Sequence, residues 1–200
     1  MRGPLFCFGA LHHTHGGTML DHITVRQSDV RTSDARSDFI TSYRATAACT
    51  RELGRLHDEI VAALADWRAR FAASGASVPE EPVVRRSPAR CMVQLGPVAL
   101  TVAWLQRAQG TVADGELLAV VWRGEVAMRT PQGFERSYER AGASSATALW
   151  ETVLVATAPS EVLWGWGPPG SPDDAVSSAT LAARCVERLC AAYAEDTREQ

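Results

Sequence analysis

RCMVQLGPVALTVAWL, residues 90–105, decides the fold. Gly96-Pro97 separates two apolar-rich runs by two residues with glycine first, the arrangement of a two-residue type II′ hairpin. The register then follows from geometry. Leu95 faces Val98, Val93 faces Leu100, Cys91 faces Val102, and Trp104 continues that face. The reverse face holds Arg90, Met92, Gln94, Ala99, Thr101 and Ala103. One face is apolar and the other mixed, as in an antiparallel sheet covered on one side.

Further strands are expected downstream. A turn at Ala113-Asp114-Gly115 leads into a strand from Leu117 to about Met128, and Thr130-Pro131-Gln132-Gly133 turns the chain back through Phe134 to Tyr138. Residues 141–146 read as loop. Leu149 to Thr157 and Val162 to Trp166 form two more strands about Pro159-Ser160. The last element is a helix with Ser171 as N-cap, Pro172 at N1, and Asp173 and Asp174 in its first turn. Its apolar stripe is Val176, Ala179, Ala183, Val186, Leu189, Cys190 and Tyr193.

Upstream, residues 76–89 form an extended connector. Pro79, Pro82 and Pro88 forbid helix, while Glu80-Glu81 and Arg85-Arg86 keep the segment solvated. Before it lies a long helix, residues 36–75, capped by Ser37 or Asp38 and stopped at Ser74-Gly75. Phe39, Ile40, Tyr43, Ala47, Leu53, Leu56, Ile60, Leu64, Trp67 and Phe71 mark its apolar side, with steps of three and four in the later part. Arg55/Glu59 and Asp66/Arg70 are opposite charges four apart on the other side. At 1.5 Å per residue such a helix runs about 50 Å, so it bends near Gly54 or part of it packs on a second copy. Residues 1–35 read as a disordered leader, and Met19 is a second plausible start. Helix, antiparallel meander of five or six strands, and a C-terminal helix on one face make a single α+β domain of residues 36–75 and 90–196.

The chain has 200 residues, no lysine and no asparagine; all 20 of its basic residues other than histidine are arginine. Isoleucine, a third residue with AT-rich codons, occurs only at Ile23, Ile40 and Ile60, so the bias reads as that of a GC-rich bacterial genome. Schiff-base lysine, P-loop lysine and an asparagine partner for a catalytic histidine are thereby excluded. The net charge of −3 sets up no field toward nucleic acid, and no reader motif surrounds Arg85, Arg86 and Arg90. Residues 1–90 carry 12 Arg against 10 acids and residues 91–200 carry 8 against 13, a mild asymmetry. Five cysteines, an odd number without zinc spacing, read as reduced thiols of a cytoplasmic protein. No apolar run reaches membrane-helix length.

Catalytic equipment is scarce. His12, His13, His15 and His22 cluster in the leader without a scaffold, so no metal site is expected there. His57 is the only histidine of the folded body, and its expected place is a solvated helix face. Each of Cys49, Cys91, Cys185 and Cys190 would be a nucleophile with a base nearby, but Cys91 and Cys190 fall on apolar faces and read as core. Glu125 and Glu151 are acids within strands. Alternation puts Leu118, Val120, Trp122, Val126 and Met128 on one face of the third strand and Arg123 with Glu125 on the other, toward solvent.

Six tryptophans hold more promise. Trp104 and Trp122 project from strands toward the apolar face, Trp150 starts another strand, and Trp67 ends the long helix. Trp164 and Trp166 flank Gly165 ahead of the Pro168-Pro169-Gly170 loop, where an exposed ring would serve binding. Two functions compete. The first is a non-enzymatic protein-interaction or self-associating module, touching its partner through Trp164, Trp166 and Arg123, or dimerising through the long helix. The alternative is a small-ligand pocket, with or without enzymatic activity, lined by Trp104, Trp122 and Trp150 with Glu125 or Glu151 as its polar group. No cofactor, nucleic acid or membrane enters either reading.

Overall fold

The computed structural model describes residues 38–75, 78–106, 110–124, 126, 146–158, 160 and 162–199. The leader, Glu125 and the Phe134–Tyr138 segment therefore lie outside the described residues. Helix α1 spans Tyr43–Ala73 and helix α2 spans Ser178–Glu199; between them run β1 (Val83–Ser87), β2 (Arg90–Leu95), β3 (Val98–Leu105), β4 (Glu116–Arg123), β5 (Thr147–Thr157) and β6 (Gly165–Gly167). The strands form one antiparallel sheet in chain order, β1 to β6. The α+β reading stands.

The hairpin has the register its sequence dictates: Leu95 opposite Val98, Val93 opposite Leu100 and Cys91 opposite Val102. Gly96 has a φ of +53°, and Pro97 supplies the negative φ that a type II′ turn wants next. Gln94 locks this end of the sheet. Its amide nitrogen donates to the carbonyls of Gly96 (2.8 Å), Val98 (3.1 Å) and Gly124 (3.1 Å), and its oxygen accepts from the Val126 N–H at 3.0 Å. A half-apolar face thus holds a buried amide with both ends in use.

Several boundaries differ from expectation. Residues 38–40 are helical, as expected, but the helix breaks at 41–42 and the long helix starts at Tyr43, where Ser42 takes the N-cap: its Oγ accepts from the Ala45 N–H at 3.3 Å. The segment expected to be only a connector carries the edge strand β1, whose two-residue turn at Pro88-Ala89 leads into β2. Three prolines bar helix but leave the extended backbone between them free to pair. Ser171-Pro172 opens a short 3-10 turn, Pro172–Asp174, instead of the last helix. Val176 explains the delay. It exchanges both backbone hydrogen bonds with Trp166 at 2.9 Å, so helix can begin only beyond it. Ser177 then caps α2, its Oγ accepting from the Thr180 N–H at 3.2 Å.

The helix-facing side of the sheet bears Cys91, Val93, Leu95, Val98, Leu100, Val102, Trp104, Leu117, Ala119 and Val121, all in one core. Gln94, Ala99, Thr101, Ala103 and Val120 on the opposite face are buried as well, so the centre of the sheet is covered on both sides rather than on one. Helix α2 lies across β3 and β4, and α1 packs along α2. The buried stripe of α2 is Leu181, Ala182, Cys185, Val186, Leu189, Cys190 and Ala192; Ala179 and Ala183, expected inside, are exposed. Alanines fit either side of a helix, so the larger Leu181 and Leu189 set the phase.

Helix α1 buries Ala45, Ala48, Cys49, Leu53, Leu56, His57, Ile60 and Leu64. Beyond them Trp67 meets Phe71 (centroids 4.7 Å apart) and Tyr193 of α2 (6.1 Å). Its apolar stripe is thus covered along nearly the whole helix by this chain itself. Tyr43, expected on that stripe, stands in solvent. No helix among the described residues is long and apolar enough to cross a membrane.

Candidate interaction surface

Three tryptophans stack where β3, β6 and the segment before β6 come together. Trp166 stands between Trp104 and Trp164, with centroids 5.8 Å away on each side and rings tilted edge to face. Trp166 is fully buried, and its indole N–H donates to Ser178 Oγ at 3.0 Å. Ser178 in turn donates to Glu52 Oε2 at 3.0 Å, and Glu52 Oε1 faces Arg55 at 3.4 Å. One relay therefore joins β6, the start of α2 and the middle of α1. Trp104 donates to Gln106 Oε1 at 3.1 Å and lies against Gly115.

The outer end of the stack reaches solvent. Trp164 is half-buried, and its Nε1 is enclosed with no hydrogen-bond partner. Immediately before it, Val162 is 89% exposed and Leu163 63% exposed. Two consecutive branched aliphatic residues thus stand in water directly before a half-buried tryptophan. Trp166, by contrast, is a core residue and cannot touch a partner.

The other expected contacts separate. Trp122 pairs with Ala99, so it lies on the face away from the helices, whereas Trp104 and Trp150 face the helical core. Trp104, Trp122 and Trp150 consequently do not line one cavity. The β4 faces are likewise the reverse of those the sequence predicts. Leu117, Ala119 and Val121 point to the core and Leu118, Val120 and Trp122 point away; the strand begins one residue earlier than expected and ends at Arg123. Arg123 thereby joins the helix side, where its Nε stands 3.3 Å from Asp196 of α2. Glu151 is exposed opposite Val120 on the far face. Leu149 is the extra residue of a bulge between the Val121–Trp150 and Trp122–Ala148 pairs.

Among the described residues of the far face, Thr101 Oγ1 and Trp122 Nε1 are buried polar atoms without a partner, on diagonal positions of neighbouring strands.

His57 and the four described cysteines are enclosed. His57 is buried rather than solvated, and its Nε2 has no hydrogen-bond partner. Burial first, and then the Arg86 guanidinium, push it down to about 4, against a smaller opposing pull from Asp58. Arg86 of β1 donates to the His57 carbonyl at 3.1 Å and to Asp58 Oδ1 at 2.6 Å, fastening the sheet edge to α1. Cys49, Cys91, Cys185 and Cys190 are buried free thiols. Burial raises Cys91 to about 11 and the other three to about 12, so none is a thiolate nucleophile at neutral pH. Among the described residues no group of His, Cys, Asp and Glu is arranged to hold a metal ion.

Sequence reasoning missed β1, the Gln94 clamp and the Glu52–Ser178–Trp166 relay. A glutamine beside the Gly-Pro turn of an apolar hairpin was the available signal for the clamp. The relay had none, since its members lie up to 126 positions apart. No protein-family model matches the chain, and it matches no curated protein and no solved structure.

Proposed function

We propose that this chain is a non-enzymatic protein-interaction module that docks a partner's apolar surface onto Val162, Leu163 and Trp164. The observation that carries the reading is the exposure of Val162 and Leu163 beside a half-buried tryptophan. Large apolar side chains left in water beside a half-buried tryptophan are the makings of an interface hot spot. Supporting it, His57 and the four thiols of the described residues are buried in forms poor for acid–base or nucleophilic work. Dimerisation through α1 has no such support, because that stripe is already covered.

The test is affinity capture with the full chain, identification of the bound protein, and reassembly of the complex from purified components. Val162→Ser with Leu163→Ser is expected to weaken that complex by about a hundredfold, the loss of two buried aliphatic contacts. A purified complex indifferent to both changes overturns the reading. A small-ligand site is the second reading, favoured by one observation, the two unpartnered polar atoms of Thr101 and Trp122. A crystallographic fragment screen placing no molecule within hydrogen-bond reach of either atom removes it.

A further inference from the structure

We infer that the outer edge of β1 is a self-association site at which a second copy of this chain pairs antiparallel. This deepens the interaction reading above by naming a partner at a second surface, and it rests on that reading only in assigning the chain a binding role. β1 is a terminal strand of the sheet, and among the described residues no strand pairs with its outer side. The hairpins on either side of β2 agree on which backbone groups are used. Leu95 and Val98 close one two-residue turn and Ser87 and Arg90 close the other, so Val83, Arg85 and Ser87 bond inward to β2. The N–H and C=O groups of Val84 and Arg86 therefore point outward.

The line of the strand continues upstream. Glu81 precedes a proline and is held extended. The Glu80 carboxylate reaches the Gly96 turn, 4.0 Å from where a β-carbon on that glycine would stand. Residues 80–86 thus read Glu-Glu-Pro-Val-Val-Arg-Arg along one edge, with both acids, Val83 and both arginines exposed.

Charge on an edge strand ordinarily guards against pairing, and so does proline. A guard of one sign repels a second copy in every register. This edge instead is negative at one end and positive at the other, so it attracts its own antiparallel copy. One register satisfies both ends. With Val83 on the two-fold axis, Glu81 stands opposite Arg85 of the second copy and Glu80 opposite its Arg86. Directly opposed residues share a sheet face, so Glu81 and Arg85 meet on the far face, on the side of Met92. The outward-facing residues then face each other. Val84 donates to the Pro82 carbonyl of the second copy, and Glu80 and Arg86 exchange both bonds. Pro82 offers no N–H, and a short edge buries little area, so the dimer is a weak one. Arg86 already holds Asp58, which leaves Glu81–Arg85 as the pair that reports on the register.

Sedimentation velocity of the full chain over a wide concentration range tests the proposal. A reversible monomer–dimer equilibrium is expected, weakened by added salt. Arg85→Glu and Glu81→Arg are exposed changes that should each raise the dissociation constant about tenfold, and the double charge swap should bring it back within about threefold of the original. Circular dichroism confirms that each variant stays folded. A monomer at every concentration overturns the proposal, as does a dimer that neither single change weakens, or single losses that the double swap fails to restore. These outcomes are independent of Val162 and Leu163. A monomer that still binds a foreign partner through those residues sinks self-pairing and leaves the interaction reading intact. A dimer sensitive to the Glu81–Arg85 swap, with no foreign complex lost on changing Val162 and Leu163, does the reverse.

Discussion

The indole of Trp104 occupies the space in which Gly115 would carry a side chain. A β-carbon on Gly115 would overlap the six-membered ring, with Cη2 at 2.7 Å and Cε2 at 2.8 Å. The φ of Gly115 is −96°, which any residue adopts, so the demand for glycine is steric and not conformational. Trp104 cannot step aside easily, because Trp166 bounds it on another side. Gly115→Ala is expected to cost about 1–3 kcal/mol through overpacking, read as a lower denaturant midpoint at unchanged slope.

The relay from Trp166 to Glu52 passes through a single hydroxyl. Ser178→Ala removes it and leaves the buried indole N–H of Trp166 without a partner, for an expected loss of about 1–3 kcal/mol. Ser178→Thr keeps the hydroxyl and should lose less, provided its methyl fits. Equal losses for the two variants would show that packing around Ser178, not the hydrogen bond, carries the stability.

His57 gives stability a defined pH dependence. Its ordinary value is 6.5 and its folded value about 4, so between those limits the unfolded chain binds a proton that the folded chain does not. Stability from this residue is therefore unaffected above pH 6.5 and falls as pH drops toward 4, by on the order of 3 kcal/mol. His57→Gln removes that component. The stability of the variant relative to the parent should rise steadily as pH is lowered from 6.5 to 4, measured by urea unfolding at each pH. A constant difference would contradict the burial of an uncharged imidazole.

The four buried thiols make a prediction about reactivity. Cys49, Cys91, Cys185 and Cys190 should resist alkylation by iodoacetamide at pH 7.5 in the folded protein and react fully in guanidinium. Peptide mapping by mass spectrometry assigns the modified positions. Fast labelling of any of the four under native conditions would mark a local opening of the core around it.

Local pattern carried much of the fold. The β2–β3 register was legible because a Gly-Pro turn of two residues leaves one alignment, and the Ala113-Asp114-Gly115 turn announced β4. Features set by tertiary partners were not legible. The helix-facing side of β4 was misassigned because Leu118, Val120 and Trp122 are as apolar as Leu117, Ala119 and Val121. Only pairing with β3 decides between them. The start of α2 was misplaced because Ser171-Pro172 satisfies the local rules for a helix start, while a backbone pair between Val176 and Trp166 overrides them. The candidate surface was half visible: the Trp-Gly-Trp spacing marked the place, but which ring is covered depends on Ser178 and Trp104 far along the chain.

The position of α2 also governs how the protein comes to be folded. Every strand of the sheet precedes in the chain the helix that covers β3 and β4. During synthesis the apolar side of the meander therefore leaves the ribosome without its cover, and α1, made first, has no α2 to lie along. The bond between Glu52 and Ser178 joins residues 126 positions apart, so closure is a late and long-range event. A nascent chain arrested before residue 178 would hold an open greasy sheet, and for that interval chaperones have a substrate that the finished molecule no longer presents.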